Sequence, residues 1–188
     1  MDIFTKIQNI FYSGNHNFNG DLESINEIAF LVKEKYLNLN TVSISSKSDY
    51  FGLLNNQNKL DNMYEAHGGG YAHVALKILA GKFLETQRQQ LFVYEHPFCG
   101  YYPDILSGNN SIVIECGHTQ NPEKMLGYFH VGNIQECIQI PYPSEEDKTI
   151  LGYSFIAKEN LNEFLILLEQ EKRSDLKDIF KKRVRLGN

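Results

Sequence analysis

The chain is most tightly constrained where two apolar runs, Tyr101–Leu106 and Ser111–Cys116, are joined by only Ser107-Gly-Asn-Asn110. A short Gly/Asn joint is turn chemistry, and it brings its flanking segments back antiparallel as a hairpin. A third run, Leu91–His96, precedes them across Pro97-Phe98-Cys99-Gly100, so the three are expected to form a meander of short strands. Asp104 lies in the second strand of this meander and Glu115 near the end of the third. Side chains alternate along a strand, which puts Val113, Glu115 and Gly117 on one face and Ile112, Ile114 and Cys116 on the other. An acidic residue in an apolar, buried strand is costly unless it is paired, solvated at an edge or bound to a cation. Two of them on neighbouring strands point to a divalent-metal site.

The flanking periodicities give the order of elements. After Gly68-Gly69-Gly70, the spacing of Val74, Ala75, Ile78, Leu79, Phe83 and Leu84 predicts a helix over Tyr71–Gln87, with His73, Lys77 and Lys82 off its buried stripe. Pro122 predicts the first turn of a helix capped by Asn121 or Thr119 and running to about His130. Strands are expected at Glu136–Pro141 and Thr149–Ala157, around the acidic turn Ser144–Asp147, and a long amphipathic helix follows from Leu161, restarting near Ser174. Upstream, Ile3–Phe11 has helical spacing, Asp21 is a candidate cap for a second helix, and Thr41–Ser45 alternates as a strand. The Asn-rich stretch Lys47–Asn62 reads as a loop. The expected division is an N-terminal helical extension over residues 1–64 and an α/β domain over residues 65–188.

Composition narrows the class. With 42% hydrophobic and 22% charged residues in 188, the chain is globular rather than disordered. No window reaches the roughly 18 consecutive apolar residues of a membrane span. No apolar signal core follows the N-terminus, and three cysteines without CxxC spacing fit a reducing, cytoplasmic setting better than a disulfide framework. A zinc site from Cys116, His118 and Cys99 or Cys137 matches no common finger spacing. A Cys116/His118 nucleophilic pair lacks any oxyanion element. The net charge of −5 is not that of a passive nucleic-acid binder, although Lys177, Lys181, Lys182, Arg183 and Arg185 cluster at the C-terminus.

Tyr102-Pro-Asp-Ile-Leu106 followed by Ile112-Val-Ile-Glu-Cys-Gly117, inside the order helix, three-strand meander, helix, strand over about residues 71–143, resembles the core of the PD-(D/E)XK nuclease superfamily, the restriction-endonuclease-like fold. The resemblance implies that Asp104 and Glu115 hold Mg²⁺ (or Mn²⁺) and that the chain hydrolyses phosphodiester bonds in nucleic acid, DNA before RNA. It also implies an extra carboxylate near the metal, for which Glu95 is the candidate. His73-Val-Ala-Leu-Lys77 looks like the polar helix face that lines the phosphate path in some nuclease-like domains, and His118 and Thr119 lie at the same strand end. A homodimer is compatible with such a domain.

The superfamily pattern expects a catalytic lysine two residues after the Glu, but this chain has Gly117 there. Three outcomes follow. Lys124, in the first turn of the next helix, can swing back over the strand end. His118 can take the proton instead. Or catalysis is lost, and the fold serves as a module that binds nucleic acid or a protein partner.

Overall fold

The computed structural model describes residues 1–12, 22–63, 66, 68–117 and 121–171. His118 and Thr119 lie outside the described residues, as do the Asp21 cap, the restart at Ser174 and the basic C-terminal cluster.

Apolar alternation at 37–46, 92–94, 105–107, 112–116, 136–140 and 149–157 builds six strands, β1 (Leu37–Ser46), β2 (Phe92–Tyr94), β3 (Ile105–Ser107), β4 (Ile112–Cys116), β5 (Glu136–Ile140) and β6 (Thr149–Ala157). They form one mixed sheet in the order β1-β6-β5-β4-β3-β2. Only β4 and β5 run parallel. A parallel pair needs a crossover, and α6 (Pro122–His130) supplies it. Both central strands are buried along their whole length, as expected where helices cover both faces of a sheet.

Strand parity decides which helix meets which face. Ile105, Ile112, Ile114, Cys116, Ile138 and Ile140 pack against α3 (Lys47–Leu54), α4 (Gln57–Asp61) and α5 (Tyr71–Gln87). Leu106, Val113, Cys137 and Phe155 pack against α1 (Ile3–Tyr12), α2 (Leu22–Lys33), α6 and a helix at 161–171. The result is an α/β/α arrangement. From α5 to β5 the order is helix, three-strand meander, helix, strand. The described residues before 64 enter the same architecture: β1 pairs antiparallel with β6 along nearly its full length, and Ile7, Ile10, Phe11, Ile25 and Ile28 fill the core beneath α6.

The segment expected to be a loop at 47–62 instead holds α3 and α4. Its polar residues are caps, which is why composition misled. Ser46 Oγ accepts from the Asp49 N–H, and Asn56 Oδ1 accepts from the Lys59 N–H. Between them Tyr50, Leu53 and Leu60 are enough to seat two short helices on α5. The meander strands are also shorter than their apolar runs. Glu95 (φ 48°) and Cys99 (φ 53°) take left-handed backbone that ends β2 early and delays β3, so Asp104 stands just before its strand.

The cap of α6 is local and testable. Asn121 Oδ1 accepts from the Lys124 N–H at 3.3 Å, and Pro122 follows in the first turn. Asn121→Ala is expected to lower stability by about 1 kcal/mol in urea denaturation with the slope unchanged.

Candidate functional site

The hairpin register sets the site. Ile105 stands opposite Ile114 and Leu106 opposite Val113, and Asp104, one residue before β3, lies at the end of β4 next to Glu115, where its carboxylate accepts the Cys116 N–H. Like charges brought together across a pair of strands destabilise it. The surrounding groups counter this on both sides of the sheet.

Asp104 is held from the α5 side. Its Oδ2 accepts the Cys116 N–H at 2.7 Å, and its Oδ1 lies 3.0 Å from His73 Nε2 on the first turn of α5. Glu115 is held from the α6 side, where Tyr128 donates its hydroxyl to Oε1 at 2.7 Å and Lys124 Nζ reaches the same oxygen at 2.7 Å. Lys124 also donates to the Tyr102 carbonyl at 3.0 Å, which ties it to the segment leading into Asp104. Lys124 and Tyr128 sit one helical turn apart and so share a face of α6.

Glu115 is 7% exposed. Burial pushes its carboxyl up to about 7, with the charge of Asp104 acting in the same direction, and Lys124 and the hydrogen bond from Tyr128 only partly oppose this. Burial, then Glu115 itself, raises the Tyr128 phenol far above its ordinary range, so it remains a donor.

The position where the resemblance expects lysine has a clear physical state. Gly117 has φ +87°, and a Cβ there would sit 3.1 Å from the ring of Tyr142. Left-handed backbone under an aromatic ring makes any side chain at 117 strained. The lysine that reaches the carboxylate comes from α6.

Two other expectations change. Lys77, expected on a polar helix face, is fully buried. Its Nζ donates to Glu95 Oε1 at 2.6 Å and to the Gly68 carbonyl at 2.9 Å, since an interior ammonium must be paired. Glu95 therefore turns to Lys77, and Gly68 makes room for its carboxylate, because a Cβ at 68 would overlap Glu95 Oε1. Glu95 also bonds through its N–H to the Asp104 carbonyl, so it braces the site through backbone. Of the sequence candidates, Asp104, Glu115, Lys124 and His73 come together, while Glu95 and Lys77 form a neighbouring pair. Tyr128 was missed, although its spacing of four from Lys124 was the signal that could have found it.

The cysteines are free thiols. Cys116 and Cys137 belong to cores on opposite faces of the sheet, which removes them as joint zinc ligands. Among the described residues no three His, Cys, Asp or Glu side chains gather as a metal-holding group. Two neighbouring carboxylates do fit Mg²⁺, which is commonly held by one or two carboxylates with water and substrate phosphate completing its shell. Each carboxylate oxygen has about two lone pairs, so the bonds to Asp104 leave acceptor capacity.

No family model, curated protein or solved structure matches the chain. The geometry of the site is therefore its own guide.

The raised Glu115 carboxyl gives a signed prediction. Between its ordinary value of 4.5 and about 7, the unfolded chain has released a proton that the folded chain keeps, so stability falls as pH rises through that window. From pH 5 to pH 8 this amounts to a loss of roughly 2–3 kcal/mol. In Glu115→Gln that part of the loss should vanish, as read from urea unfolding at the two pH values.

Proposed function

We propose that this chain is a metal-dependent phosphodiesterase acting on nucleic acid, DNA before RNA, built on a restriction-endonuclease-like core. The observation that carries the reading is the Asp104 carboxylate bonded to the Cys116 N–H next to Glu115, with Lys124 Nζ 2.7 Å from Glu115 Oε1. The sequence α5, β2–β4, α6, β5, with β4 and β5 parallel, supports the same superfamily.

Asp104 and Glu115 would hold Mg²⁺ or Mn²⁺. Bound there, the ion would polarise the phosphodiester and lower the pKa of the attacking water. The chain's own contribution is positional and electrostatic. The Cys116 N–H and His73 fix the Asp104 carboxylate. Tyr128 fixes Glu115. Lys124 presents an ammonium at the place where charge develops on the phosphate, anchored by the Tyr102 carbonyl so that it need not reorganise.

A second reading is favoured by one observation: the backbone and the Tyr142 ring at Gly117 disfavour lysine at its usual place, as they would in a core kept only for binding. One experiment separates the two. Wild type, Asp104→Ala and Lys124→Ala are incubated with single- and double-stranded DNA and RNA in Mg²⁺ or Mn²⁺. The nuclease reading expects cleavage by wild type, none by Asp104→Ala, and a drop of about 10²–10³ in Lys124→Ala. Cleavage should climb as pH rises through about 7, where Glu115 ionises to the form that ligates a cation. Persistent cleavage by Asp104→Ala would sink the site, and inactivity of wild type on every substrate would favour the binding module.

A further inference from the structure

Gln139 on β5 is the ladder partner of Glu115 on β4. Alternation puts it on the face of Val113, Glu115 and Cys137, directly beside Glu115 on the neighbouring parallel strand. Gln139 is only 1% exposed, yet its amide is half satisfied. The nitrogen donates to Cys137 Sγ at 3.4 Å, while the buried Oε1 has no hydrogen-bond partner. Leaving such an oxygen unpaired costs about 1–3 kcal/mol, which Leu or Met at 139 would avoid.

Cys137 and Gln139 are alternate residues of β5 and share one of its faces, and Gln139 stands beside Glu115 in the parallel ladder. With its nitrogen tied to Cys137, the amide keeps an unpartnered oxygen at the ladder position beside Glu115. The nearby donors are already engaged: Tyr128 with Glu115, and Lys124 with Glu115 and the Tyr102 carbonyl. A cation bound between neighbouring oxygen acceptors satisfies them together. An amide carbonyl is a competent neutral ligand for a hard, oxygen-preferring cation.

We propose that Gln139 Oε1 is a third protein oxygen ligand of the divalent cation, beside Asp104 and Glu115. The inference rests on the metal site proposed above and extends it to a strand that the superfamily pattern does not use.

The test needs no substrate. Mn²⁺ is titrated into the full chain at pH 8, by calorimetry and by the electron paramagnetic resonance signal of free Mn²⁺, for wild type, Gln139→Met, Gln139→Glu and Asp104→Ala. Gln139→Met, which keeps the volume and removes the oxygen, should bind at least about tenfold more weakly. Gln139→Glu, which keeps an oxygen and adds charge, should bind as tightly as wild type or tighter. Thermal unfolding without metal checks folding, and Gln139→Met should melt no lower than wild type because the unpaired acceptor is gone. Wild-type affinity in Gln139→Met, with binding abolished in Asp104→Ala, would overturn the role of Gln139 and leave the two-carboxylate site standing. Equal weakening in Gln139→Met and Gln139→Glu would reduce residue 139 to packing, and failure of wild type to bind Mn²⁺ would overturn both proposals.

Discussion

Two carboxylates placed side by side at the open end of a hairpin cannot both stay charged and buried without compensation. That constraint organises the centre of this molecule. The β3–β4 hairpin brings Asp104 to the end of β4 beside Glu115, and the hydrogen bond from the Cys116 N–H keeps Asp104 from turning away. Compensation arrives through separate helices: α5 delivers His73 to Asp104, and α6 delivers Lys124 and Tyr128 to Glu115. It is incomplete, and the carboxyl of Glu115 stays high despite its lysine. An incompletely neutralised pair of carboxylates is suited to taking up a cation.

The sheet keeps the two supports apart. Parity sends Glu115 toward α6 and Cys116 toward α5, so groups adjacent in sequence face different helices. The α5 side also carries the Lys77–Glu95 pair, a buried ammonium matched to a carboxylate admitted by Gly68. Such a pair is weak evidence for stability and better understood as fixing position. Through the bond from the Glu95 N–H to the Asp104 carbonyl, it holds the approach to Asp104.

Much of this was legible in the sequence where the signal was periodic. The α5 span, the Asn121–Pro122 start of α6, the β3–β4 hairpin and the face assignment along β4 follow from alternation, helical spacing and turn chemistry. The α3–α4 pair escaped because Ser46 and Asn56 act as caps, whereas composition alone reads such residues as loop. Lys77 escaped because a lysine on a helix is ordinarily solvated, and only the fold reveals that Glu95 and the Gly68 carbonyl await it. The pairing of Glu95 with Lys77 escaped in the same way, since left-handed backbone at Glu95 redirects the chain at that point. Tyr128 was signalled only by its spacing of four from Lys124, and Gln139 depends on the pairing of β4 with β5 that no local pattern encodes.

The central claim is that the Asp104–Glu115 pair is a cation site. The most direct measurement is anomalous diffraction from crystals of the chain grown or soaked with Mn²⁺ near pH 8. The account predicts a Mn²⁺ peak shared by the carboxylates of Asp104 and Glu115, within the roughly 2.0–2.6 Å span of divalent-cation–oxygen bonds. Crystals saturated with Mn²⁺ that show no ion between those carboxylates, with Lys124 still seated on Glu115, would contradict it.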